Sequence, residues 1–242
     1  MIYFIIFFIL HWYLSLFTQT FFLHRYASHQ MFKMSKPVEK CFFILTWLAQ
    51  GPSYLEPAAY ALMHRKHHEL SDTKKDPHSP TFFKSWFKFM YKTMIEFNIY
   101  KDKIIKSNYT DKSLPRWTIF ENIVDTYTAR ILFSLFYISI YYFFSPSIWL
   151  FTLLPFHILM GPIHGFIVNW FGHKHGYRNF KNLNDNSKNT LFIDLLMLGE
   201  LYQNNHHKFP QKLNFAFKWF EIDIGFIIIK FLYKMKIIKP NT

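Results

Sequence analysis

The chain has 242 residues, a formal charge of +13, 51% hydrophobic and 22% aromatic residues, and a single cysteine. That length allows one domain or at most two, and lone Cys41 excludes an intrachain disulfide or a cysteine-built metal site. The basic excess points to anionic lipid, an acidic partner or a phosphate-bearing substrate. Nucleic acid is set aside, because no basic helix or aromatic-basic platform stands apart from the apolar segments.

Residues 1–23 contain no Asp, Glu, Lys or Arg, and at about 1.5 Å per residue they cross a hydrocarbon core of about 30 Å. A cleaved signal peptide would need a basic start, a shorter apolar run and a small-residue cleavage site, and the sequence has none of them. Residues 41–62 read as an interfacial or partly re-entrant segment, since Gly51, Pro52 and Pro57 interrupt a short apolar run. Residues 82–100 have an amphipathic pattern suited to a membrane surface. Residues 131–171 are again free of acidic and basic side chains. With Ser145–Pro146–Ser147 as a turn, they predict a hairpin of spans at 123–144 and 148–171.

Lysine and arginine crowd residues 63–118 and 172–242, which the positive-inside rule places in the cytoplasm. The N-terminus and the hairpin turn then face the other side. The expected fold is an all-α integral membrane helical bundle, a single domain of three to four spans with a cytoplasmic histidine-rich cap. A cell (inner) membrane is the expected location.

Most of the 13 histidines are clustered. His24 and His29 follow the first span; His64-Arg65-Lys66-His67-His68 forms the second cluster; Gln203-Asn204-Asn205-His206-His207 forms the third. Asn169 and His173 lie at the end of the last span. Helical positions i, i+3 and i+4 share a face, so His64, His67 and His68 can converge on a common centre, as can Gln203, His206 and His207. His24 and His29, five apart, fit one face less well, and either serve different metals or straddle a bend. All these elements fall on the predicted cytoplasmic side. His11, His157 and His164 lie inside the spans, where helix–helix hydrogen bonding is the more economical reading.

Imidazoles without thiolate suit zinc, copper, iron or nickel. Zinc takes about four ligands, so eight clustered histidines point to two metals. Glu56, Tyr60 and His64 recur every four residues, so a face supporting or lining a substrate tunnel and simple packing both remain open. Asp72, Asp76 and Glu200 are candidates to orient histidines or are solvated charges. His78 reads as a structural or supporting residue, and Arg65, Lys66, Lys74 and Lys75 form a basic patch.

The clusters resemble the three histidine boxes of membrane fatty-acid desaturases. Also similar to acyl-CoA delta-9-type members are the run from His67 through Asp76-Pro77-His78, Asn169 with His173 and Gly176-Tyr177-Arg178, and Gly199-Glu200 before and Phe209-Pro210 after the last box. The resemblance covers about residues 18–221. It implies a di-iron centre ligated by His24, His29, His64, His67, His68, His173, His206 and His207, with Asn169 acting through water. It also implies an oxygen-dependent enzyme that places a cis double bond in a fatty-acyl chain carried by CoA, carrier protein or lipid. Electrons must then come from a separate carrier of ferredoxin, rubredoxin or cytochrome b5 type. Two departures stand out. Gln203 occupies the place of a box histidine, as an oxygen ligand or as an orienter of water, and the start has room for one span where two are usual. A hydroxylase on the same centre, a membrane zinc hydrolase of lipid amides or esters, and a metal sensor or transporter without turnover are the alternatives.

Overall fold

The computed structural model describes residues 1–106, 111 and 113–241. Residues 107–110, 112 and 242, which belong to the two predicted cytoplasmic regions, lie outside the described residues.

Helix α1 (Ile2–Thr18) turns without a break into a π-helical segment, Gln19–Ser28. Its outer half shows Ile2, Ile6, Ile9 and Leu10 to the surroundings, as expected where the solvent is hydrocarbon and the backbone is satisfied internally. Strand β1 (Phe32–Met34) follows, then α2 (Lys36–Gln50) and α3 (Pro57–Leu70). Between them Gly51 has φ +52, and a Cβ there would lie 2.6 Å from the Tyr137 hydroxyl, so both the turn and the approach of a later helix require glycine. Helix α4 (Trp86–Lys106) packs on α3 with Phe89 and Ile104 buried, and leaves Trp86, Phe87, Tyr91 and Met94 exposed.

A short α5 (Thr118–Val124) leads to α6 (Tyr127–Phe144), whose start is capped by the Thr126 side chain accepting from Ala129 N–H. The second leg of the predicted hairpin is not one straight helix. A 3₁₀ stretch (Ile148–Leu153) and α7 (Leu154–Ile158) meet α8 (Met160–Lys174) at a bend of 72°. Pro162 has no N–H for the carbonyl four residues back, and Gly161 N–H donates to Ser53 Oγ at 3.1 Å. The bend thus pins α8 to the turn after α2. Beyond α8 come a long loop, the short α9 (Gln203–Lys208), α10 (Ile224–Lys234) and β2 (Ile238–Pro240).

Ile2–Ser28 and Tyr127–Phe144 are long and apolar enough to cross a membrane, and the bent pair would make a third crossing. Among the described residues the fold is mostly helical, and a pair of short strands departs from the all-α expectation. Strands β1 and β2 pair antiparallel, Met34 opposite Ile238 and Phe32 opposite Pro240. That ladder ties the C-terminal segment to the chain just after His29. Beneath it Phe21, Phe22, Phe32, Phe42, Phe43 and Phe215 form the largest core cluster, and such ring clusters dominate core energetics through buried area.

Candidate metal centre

The π segment explains how His24 and His29 meet. Its hydrogen bonds run between residues five apart, and His29 N–H donates to His24 O at 3.2 Å. A spacing of five, awkward on an α-helix, here brings the two rings together edge to face, with centroids 4.9 Å apart. They serve one group and not two. Arg65 holds this turn, donating to the carbonyls of Ala27 and Ser28, so it acts as a clamp and not as part of an open basic patch. The neighbouring Arg25 is fully buried, paired with Asp223 at 3.0 Å and lying over the Phe215 ring.

Eight histidines gather in two groups. His24, His29, His64, His68 and His206 form the first and His67, His173 and His207 the second; within each group one nitrogen per ring lies within 4.8 Å of all the others. The second box therefore does not converge on one centre. Successive helical residues are turned by about 100°, so His64 and His68 face one group while His67 faces the other. His206 and His207, adjacent on α9, divide in the same way.

In the first group, Nε2 atoms lie 2.9 Å apart for His29 and His64, and 3.0 Å for His64 and His68, His68 and His206, and His24 and His206. Carboxylates lie behind several rings. His24 Nδ1 is 2.6 Å from Glu200 Oε2, His67 Nδ1 2.9 Å from Asp76, His173 Nδ1 2.8 Å from Asp72, and His207 Nδ1 2.9 Å from Asp185. A carboxylate behind Nδ1 fixes the proton there and leaves Nε2 as a bare lone pair. His67 and His207 therefore point two lone pairs at each other across 3.3 Å, which no hydrogen bond can bridge. His173 Nε2 is buried without a partner. Extra protons do not relieve the conflict: burial, then neighbouring imidazoles, hold His29, His64, His67, His68 and His206 well below the usual histidine range. The arrangement suits cations that accept nitrogen lone pairs.

The supporting carboxylates are not alike. Burial opposes ionisation of Asp72, yet His173 and the Ser79 and Thr81 hydroxyls hold it well below the ordinary carboxylate range; His207 and Ser187 do the same for Asp185. Burial raises Asp76. Glu200 also accepts from the Thr20 hydroxyl and stays below its ordinary value through His24 and Arg25, against its burial.

The remaining predicted residues take varied places. Gln203 is buried; its amide nitrogen donates to Glu200 O at 2.8 Å, and its side chain packs against Gly172 so closely that a Cβ there would lie 2.4 Å from it. Asn169 donates to Gly165 O, one turn back on α8. Gln203 and Asn169 line a cavity of about 20 Å³ together with His24, His64 and Tyr60. Tyr60 stacks on His64 at 6.0 Å and borders a second, apolar cavity of about 120 Å³ between α3, α4 and α8. Glu56 is the cap of α3, accepting from Ala58 and Ala59 N–H, so it sets the start of the helix that carries His64. His78 packs its ring 4.5 Å from His67, with Nε2 buried and unpartnered, and borders the apolar cavity.

Sequence reasoning missed Asp185, which sits in an irregular loop where no periodicity marks it. It also missed the buried carboxylates that hold the segment around the last box. Asp194 accepts from Met197, Gly199 and Leu201 N–H, and Glu221 accepts from Asn179, Asn189 and Asn205 side chains. Their burial was the missing signal, and it is a property of the fold.

The mostly helical chain combines helices long and apolar enough to cross a membrane with two facing imidazole groups able to hold metal ions. The family model described as fatty acid desaturase matches residues 1–223, and the chain belongs to that family. It is 28% identical to a delta-9 acyl-lipid desaturase 2 of Arabidopsis thaliana, over 86% of this chain and 64% of the relative. It is 30% identical to an icosanoyl-CoA 5-desaturase of Limnanthes douglasii, over 86% of this chain and 56% of that protein. A hex-5-enoyl-[acyl-carrier protein] acetylenase of Moorena producens is 26% identical, over 94% of this chain and 73% of the relative. The chain thus spans less than two thirds of the length of the first two.

Proposed function

We propose that this chain is an oxygen-dependent fatty-acyl desaturase whose eight clustered histidines hold two iron ions. The observation that carries the reading is the pair of imidazole groups with opposed lone pairs, set beside an apolar cavity in a chain of this family. Iron held there supplies O2-dependent oxidation of an unactivated C–H bond, chemistry that side chains alone do not provide. The stoichiometry is –CH2–CH2– + O2 + 2e⁻ + 2H⁺ → –CH=CH– + 2H2O, with a cis double bond and the electrons delivered by a separate carrier.

The protein's own part is positional. Asp72, Asp76, Asp185 and Glu200 orient four imidazoles, the π turn and the Arg65 clamp bring His24 and His29 into register, and the cavity between α3, α4 and α8 holds hydrocarbon. The relatives' names refer to acyl-lipid, acyl-CoA and acyl-carrier-protein chemistry, and any of these carriers fits the basic surface. We place the chain in the cell (inner) membrane with its histidines on the cytoplasmic side, on the lysine and arginine distribution. One residue favours a second reading. Gln203 stands where the family box has histidine, and a changed metal environment could turn the reaction toward hydroxylation.

The test is fatty-acid profiling of a host lacking the activity, given the gene and donor proteins, beside a His67→Ala control. A new monounsaturated species absent from the control is expected. A new hydroxylated species would favour the second reading, and an unchanged profile with active donors would overturn both.

A further inference from the structure

Three histidines sit among the apolar segments outside the metal groups, and they differ. His11 Nδ1 and His157 Nε2 are 2.8 Å apart, and the outer nitrogens meet Tyr137 at 3.4 Å and Tyr141 at 2.9 Å. That chain satisfies itself. His164 is fully buried, and neither ring nitrogen has a partner. Trp12 holds it edge to face, centroids 4.4 Å apart. An imidazole carries one donor and one acceptor when neutral, and leaving both unpaired in a membrane interior is costly.

His164 lines the small cavity that reaches His24 and His64. Gln19, Thr20, Asn169, Glu200 and Gln203 line it beside the apolar Leu16 and Val168, so its wall is mixed and more polar than that of the adjoining cavity. Its volume of about 20 Å³ suits one water-sized group. The adjoining cavity of about 120 Å³ is walled by Met63, Phe89, Met90, Met94, Phe97 and Phe166, and shares Gln19, Tyr60, Gly165 and Asn169 with the first. The space under the metal groups therefore has two adjoining arms, a larger apolar one and a smaller, more polar one of about the size of a hydroxyl.

We infer that His164 is a specificity-determining residue that recognises an oxygen function on the acyl chain, a hydroxyl foremost, while the hydrocarbon occupies the apolar arm. This rests on the reading of the cavity as an acyl site. A hydroxyl can accept from the imidazole N–H or donate to its bare nitrogen, and it replaces a single water there.

The probes are stearic acid and a series of hydroxystearic acids differing in hydroxyl position, competed against a fluorescent fatty acid on the full-length metal-loaded protein. At one hydroxyl position binding is expected to be about tenfold tighter than for stearic acid. His164→Phe removes that preference and leaves stearic acid binding within about threefold. His164→Gln, which keeps a donor and an acceptor, retains part of it and serves as the informative variant should His164→Phe fail to fold. Equal affinities across the series in the wild type would mean that only water occupies the polar arm and would overturn the proposal, as would a preference surviving in His164→Phe or lost in folded His164→Gln. Failure of the wild type to bind any of these acids would overturn the acyl-site reading and this proposal with it.

Discussion

The two histidine groups achieve nitrogen convergence by different means. The first has five imidazoles, and one carboxylate, Glu200, lies behind one of them. The second has three imidazoles, each backed by its own carboxylate, Asp76, Asp72 or Asp185. One position is rich in donors. The other has few donors made more basic, since a carboxylate on the far nitrogen raises ligand basicity and fixes ring orientation. The positions are thus chemically distinct even where their rings nearly touch, as His68 and His207 do at 4.5 Å.

Loss of a donor from either group separates the two most strongly. His67→Ala removes one of three donors, and His64→Ala one of five. Both should abolish product formation in the expression assay, but His67→Ala should release about one metal equivalent per chain where His64→Ala retains more, as read by elemental analysis. Equal loss of both ions in both variants would mean that the groups act as a single site. Next come the supporting carboxylates. Asp185→Asn should weaken metal retention or turnover about 10- to 100-fold, and Glu200→Gln by less, because four other imidazoles share its load. A chelator-challenge series ranks them, and the reverse order would contradict the asymmetry.

Gln203→His sharpens the contrast in the opposite direction. A third imidazole on α9 should slow chelator stripping of one ion several-fold and leave the other unchanged. The smallest effect concerns the scaffold. Burial, then Glu121, raises Glu56 to about 7. A carboxyl whose folded pKa lies above its unfolded one favours the fold most at low pH, and that contribution is lost as pH rises from about 4.5 through 7. Glu56→Gln should therefore flatten the fall in thermal stability across that window. A wild-type melting profile that is flat between pH 5 and 8 would refute the shift.

Much of the site was legible because its signals are local. The boxes are short repeats, and Asp72, Asp76 and Glu200 lie within a few residues of them, so proximity in sequence hinted at proximity in space. Other features needed the fold. The meeting of His24 and His29 depends on a π segment that composition does not announce, and the parting of His67 from His68 depends on where α8 and α9 pack. Asp185 reaches His207 from an unpatterned loop. The break at Leu159 lies between Pro155 and Pro162, in an uncharged run whose length reads more simply as one span. The pairing of β1 with β2 joins segments some 200 residues apart, a contact with no local trace.

The proposed chemistry requires that one chain hold two iron ions in unlike imidazole groups. Mössbauer spectroscopy of protein loaded with ⁵⁷Fe, combined with elemental analysis, tests it most directly. About two irons per chain are expected, in two distinct quadrupole doublets of equal area, of which His173→Ala removes one selectively. A single zinc ion with no oxygen consumption, or one iron environment unaffected by His173→Ala, would contradict it.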